Sequence, residues 1–228
     1  MSSDHSRSNL GHWSKLLPEE LAWVERRCRP GTQPPSVCTL GMLAPGETLQ
    51  EVCEKDEAIL KELGISRGQI ADVLELAVES AKDNHTTIPT QGSFTLNGTL
   101  YHVELKEYMG KQESPFGGFP KHSHAVVQVI NDDTKKTYYF GGGLPEMIRI
   151  NGFFEGNVQI PPAHHYGRIG VTTFRVDPKK CVKFFGITPE SDCTEQLQEA
   201  RKQKMRYYYS ATNILNYSRG NAGCQFST

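Results

Sequence analysis

No apolar run in this 228-residue chain approaches the roughly 18 residues that a membrane-spanning helix needs. Neither sign of charge is in surplus: 25 Lys and Arg face 26 Asp and Glu, for a formal net charge of −1. A chain so balanced sets up no global field to draw it to nucleic acid or to an anionic membrane surface. Cysteines occur at Cys28, Cys38, Cys53, Cys181, Cys193 and Cys224, but no CxxC pair and no zinc-finger spacing are among them. The first residues, MSSDHSRSNLGHW, lack the apolar centre of a signal peptide. These absences predict a soluble, cytoplasmic protein with reduced thiols, and with neither nucleic acid nor membrane among its partners.

What is present suits a globular fold. Hydrophobic residues make up 37% of the chain and charged residues 22%, which is enough apolar side chain to bury a core. Residues 1–14 read as a mobile tail, 15–85 as a helical part, and 86–228 as an α+β unit that forms one compact body with the helices. Helix is expected over 15–28, with Pro18 in its first turn and Leu17, Leu21 and Val24 on one stripe. A second helix starts near Thr48, carries Leu49, Val52, Ile59, Leu60 and Leu63 inward, and ends at Gly64. Ser66 and Gln69 form a capping box for a third, whose stripe is Ile70, Val73, Leu74, Ala77 and Val78.

Beyond residue 90 the period changes from helical to alternating. Asn97-Gly98 is the dipeptide a type I′ turn requires, and Phe94, Leu96, Tyr101, Val103 and Leu105 alternate around it. HAVVQVI and TYYF, joined by NDDTKK, predict a second hairpin. Pro145 opens a short helix that Gly152 closes, TTFRV reads as a strand, and Asp177-Pro178 caps another helix ended by Gly186. A final helix begins after Ser191 or Asp192. The expected class is α+β: an N-terminal helical part packed with a largely antiparallel β-sheet built from hairpins, plus a C-terminal helix.

Five residues draw attention as candidate metal ligands. His122 and His124 are two apart at the entry to a strand, and Gln128 follows on the same face. Ile-Pro-Pro-Ala-His-His-Tyr-Gly at 160–167 then brings His164 and His165. His-x-His-x3-Gln resembles the first metal motif of the cupin superfamily, and IPPAHHYG resembles the second. Three departures accompany the resemblance: a second motif with a shorter proline-to-histidine spacing and Ala163 in place of its glycine, a helix, LPEMIRI, where the family has a strand between the motifs, and an amide, Gln128, in place of the first motif's acid. The resemblance implies a jelly roll and a metal-dependent enzyme in which these side chains hold a divalent transition metal such as Fe(II), Mn or Zn.

Other patterns carry less chemistry. LKELGISRGQIADVL resembles a helix-turn-helix, yet Asp72, Glu75 and Glu79 on its second helix would repel phosphates. Gly141, Gly142 and Gly143 before a helix suit an anion cradle, without the lysine of a nucleotide fingerprint. Glu107 and Glu113 are a possible acid–base pair. Phe116, Phe119, Phe153, Phe154 and Tyr166 offer an aromatic interaction surface. The leading expectation is a small-ligand or protein binding module of unassigned activity. The cupin-like enzyme is its alternative, and DNA binding a distant third.

Overall fold

The computed structural model describes residues 8–33, 36–81, 90–108, 113–118 and 125–202. Four strands form one antiparallel meander in the order β1-β2-β3-β4: β1 (Thr90–Leu96), β2 (Thr99–Glu107), β3 (Ala125–Asn131) and β4 (Thr137–Gly141). The first turn is Asn97-Gly98, with φ of 49° and 82°, closing the register at Leu96 opposite Thr99. Phe94, Leu96, Tyr101, Val103 and Leu105 are buried, as the alternation predicts. In the second hairpin, Asn131 Oδ1 accepts the Thr134 N–H at 2.9 Å, and Lys135 turns the chain at φ 55°.

The helices are α1 (Pro18–Cys28), α2 (Leu49–Leu63), α3 (Arg67–Ala81), α4 (Leu144–Asn151), α5 (His165–Arg168), α6 (Pro178–Phe185) and a last helix, α7, over 194–202. Most ends follow local chemistry. Thr48 and Glu51 cap α2 reciprocally, and Gly64 closes it in the left-handed conformation. Ser66 and Gln69 do the same at the start of α3. Asp177 caps α6, and Asp192, rather than Ser191, accepts the first N–H of α7 at 2.8 Å.

One helix is enclosed far beyond a stripe. Residues 73–81 of α3 are all buried, Glu75 and Glu79 included. The helix lies against the sheet so closely that a Cβ on Gly92 of β1 would stand 1.9 Å from the Ser80 carbonyl oxygen. Arg149 of α4 binds Asp72 at 2.7 Å and Glu75 at 3.0 Å, and Arg201 of α7 binds Glu75 at 2.6 Å. Asp72 and Glu75, which seemed to form a free face, are thus the sockets for two neighbouring helices. A single core cluster runs from Trp13 through α1–α4, the sheet and α6 to Ala200.

Several expectations are corrected. The four strands form one sheet, where a jelly roll needs eight strands in two sheets. TTFRV is not a strand: Thr172 and Val176 make isolated backbone bonds, Ile160 N–H to Thr172 O and Val176 N–H to Phe154 O. The facing stretch 154–160 turns at Glu155-Gly156 and runs into two prolines, so no ladder propagates. Leu17 is 56% exposed, because it stands at the cap of α1 in extended conformation and not on the helix stripe. Phe116, Phe153 and Phe154 are core residues at 0–1% exposure, which removes them from any interaction surface; Phe119 lies outside the described residues.

Of the expected tail, residues 8–14 are described and engaged with the fold. Leu10 N–H reaches Phe116 O, Asn151 Nδ2 donates to Asn9 Oδ1 at 2.8 Å, and Trp13 is buried with its indole N–H on Glu57.

Candidate functional site

α3 covers one face of the sheet together with α6, whose Phe184 and Phe185 pack on Phe94, Tyr101 and Tyr138. The other face carries Val126 and Tyr139, and it is covered by the irregular stretch 155–174, which forms a small second cluster of Val126, Ile160 and Val171. Between this stretch, the end of the sheet and the loop at 37–42 lies a cavity of about 320 Å³. Its walls are mostly apolar, including Val37, Leu40, Met42, Val126, Val158, Ile160 and Phe174. The polar groups are few: Glu155, Cys38, Thr39, Tyr108, Tyr166, His164 and His165.

Glu155 is held in place by its own backbone. The following glycine packs where a Cβ would stand 2.3 Å from Glu47 Oε2 and 3.0 Å from the Leu43 Cα, and its N–H donates to Met42 O at 2.7 Å. Asn157 N–H donates to Glu47 Oε2 at 3.0 Å. Pinned on both sides of the turn, Glu155 adopts φ 63°, a region that costs a residue with a Cβ on the order of 1–3 kcal/mol. Its carbonyl oxygen accepts from Arg175 Nη1. The Arg175 guanidinium also grips Asp56 of α2, both residues buried, through Nη1 at 3.1 Å and Nη2 at 2.5 Å.

The Glu155 carboxyl itself takes no hydrogen bond from the described residues. Burial pushes it up from 4.5 to about 8, against a partial opposing pull from Arg175. Cys38 is within electrostatic reach: burial first, and then Glu155, raise its thiol, so it is held as S–H and is no activated nucleophile. Burial likewise raises the Tyr166 phenol to about 12. Three rings meet nearly at right angles on the cavity wall. Tyr108 and Tyr166 stand 5.3 Å apart at 89°, and Tyr166 and Phe174 stand 5.0 Å apart at 81°.

Among the sequence-derived candidates, His164 and His165 reach this cavity, with ring centroids 4.2 Å apart. His164 is the N-cap of α5, its Nδ1 facing the Tyr166 N–H at 3.4 Å, and His165 is exposed at the rim. Gln128 sits in β3 opposite Glu104 and Tyr139 and is not part of the cavity lining. His122 and His124 lie outside the described residues. Among the described residues, no three His, Cys, Asp or Glu side chains are grouped to hold a metal ion. Glu113 is bound by Arg27 of α1 at 2.9 Å, while Glu107 ends β2 exposed. Gly142 and Gly143 are buried, and Gly142 N–H is spent on Ala125 O at 2.8 Å, so the glycine run serves the junction of β4 with α4.

Sequence reasoning passed over Glu155 and Cys38. FFEGN reads as an ordinary turn, and the burial of its acid depends on Met42, Glu47 and Arg175, which come from distant parts of the chain. Among the described residues, no helix is long and apolar enough to cross a membrane. No protein-family model, no curated protein and no solved structure matches this chain.

Proposed function

We propose that the chain is a small-ligand binding module, with its site in the cavity behind the second face of the sheet. One observation carries this reading: a half-buried carboxyl, Glu155, lines an otherwise mostly apolar cavity and takes no hydrogen bond from the described residues. A carboxyl partly withdrawn from water without a protein partner carries a desolvation cost, and a ligand that supplies the partner recovers it. The cavity, at about 320 Å³, falls within the size of small-molecule sites, and its composition matches theirs: apolar walls with a few polar groups to fix orientation. The left-handed φ at Glu155 agrees with a side chain whose placement is imposed by the fold.

The DNA-binding reading has little to stand on, since α3 would be the recognition helix and residues 73–81 of it are buried. The cupin-type metal reading rests on His122 and His124, with His164 already committed as a helix cap.

A fragment screen read by thermal shift tests the proposal. Val158 is half-buried on the cavity wall, so Val158→Trp fills the space at little cost to the core. Fragments that enter the cavity raise the melting temperature of the native chain, and at about 100 times their Kd they stabilise it by about 2.7 kcal/mol. The Val158→Trp variant loses those shifts while its unliganded melting temperature stays close to that of the native chain. Shifts of equal size in both proteins, or none at millimolar fragment, overturn the reading.

A further inference from the structure

Of the acids around the turn at 155–156, Asp56 and Glu47 are hydrogen-bonded and the Glu155 carboxyl is not. Arg175 is the cation nearest Glu155, and its guanidinium nitrogens Nη1 and Nη2 are spent on Asp56 and on the Glu155 carbonyl. Glu47 is occupied by Ala44 N–H and Asn157. What faces the cavity is therefore an acid that feels the Arg175 charge but takes no hydrogen bond from it on its carboxyl. The same cavity is lined by the three rings Tyr108, Tyr166 and Phe174, arranged as perpendicular walls. Cys38 lies within electrostatic reach of both Glu155 and Tyr166, which places acid and rings around the same space.

An anionic ligand would meet the like charge of Glu155. A wholly apolar one would leave the carboxyl without a partner. A cation satisfies both halves of the site, since aromatic faces attract ammonium groups within about 6 Å of the ring centroid and a carboxylate completes the pairing. We propose that the cavity takes a small organic cation, an ammonium group on a short apolar body, with Glu155 as its counter-ion and Tyr108, Tyr166 and Phe174 as its aromatic walls. This deepens the binding reading above and rests on it.

Binding requires Glu155 ionised, so it releases the proton that burial retains. The titratable or charged groups facing Glu155 are Arg175 and Asp56 from behind, Glu47 beside the turn, Cys28 and Cys38 on the loop side, and Tyr108, Tyr166, His164 and His165 towards the mouth. Affinity for a cation should rise roughly tenfold per pH unit up to about 8 and flatten above it. In Glu155→Gln that rise disappears, which separates it from any contribution of the histidines.

The test titrates the full chain with three cations, each beside its neutral isostere: tetramethylammonium with neopentane-type alcohols, choline with 3,3-dimethylbutanol, and butylammonium with butanol. The expected result is at least one cation bound ten or more times more tightly than its isostere. That preference is lost in Glu155→Gln and weakened in Phe174→Leu. If no cation outcompetes its isostere, or if Glu155→Gln keeps the preference, the proposal is overturned while the cavity reading stands on its fragment shifts. If Val158→Trp also leaves every fragment shift unchanged, both fail.

Discussion

Glu155 combines two costs in one residue, a partly desolvated acid and a left-handed backbone. Its titration makes the first of them measurable. An unfolded chain releases this proton near 4.5, whereas the folded chain holds it to about 8. Between those values the folded state binds the extra proton, so its stability falls as pH rises, by up to about 1.4 kcal/mol per unit, and levels off above about 8. Glu155→Gln is nearly isosteric and does not titrate. Urea unfolding across this range should therefore show the variant gaining on the native chain with rising pH, to a few kcal/mol in all. A difference that stays constant with pH would refute the burial of this acid. Nothing in FFEGN announces such a group, because the residues packed on its turn stand more than 100 positions earlier, and Arg175, whose charge pulls the other way, stands 20 positions later.

Among the elements, those with local grammar were legible. The Asn97-Gly98 hairpin, the Thr48 and Ser66 caps, the Gly64, Gly152 and Gly186 ends, and the helix opened by Pro145 all stand where residue chemistry puts them. Each depends on φ, a cap or a short period, and all of these are encoded within a few residues. Gly98→Val is the direct check: φ is 82° and no atom lies within 4 Å of an added Cβ, so its cost is backbone strain alone. It should lower stability by about 1–2 kcal/mol in chemical unfolding, and an unchanged midpoint would count against the turn. TTFRV failed as a strand for the opposite reason. Its composition is strand-like, but pairing needs a partner with free N–H groups, and the stretch facing it turns at Glu155 and runs into Pro161 and Pro162. Leu17 failed because one residue decides whether a side chain is on a helix or at its cap.

At the scale of the whole molecule, Asp56 and Arg175 tie α2 to the stretch that roofs the cavity, and Arg175 also fixes the Glu155 carbonyl. Arg175→Met leaves Asp56 buried without its cation and should cost about 3–5 kcal/mol. Adding Asp56→Leu should recover much of that loss, so a double variant as unstable as the single would argue against the pairing. Both variants should lose ligand shifts, since the turn at Glu155 loses its anchor. Residue order by itself determined the α+β class, the two hairpins and most helix ends, because propensity, caps and alternation act over short spans and demand no knowledge of distant partners. Only the tertiary structure decided which acid lines the cavity, that Asp72 and Glu75 of α3 are sockets for Arg149 and Arg201, and that the aromatic expectations split between core and cavity. Those outcomes depend on which segments meet across the fold, and an isolated Glu, Phe or His carries the same local signal whether its neighbour is water, a guanidinium or the wall of a pocket.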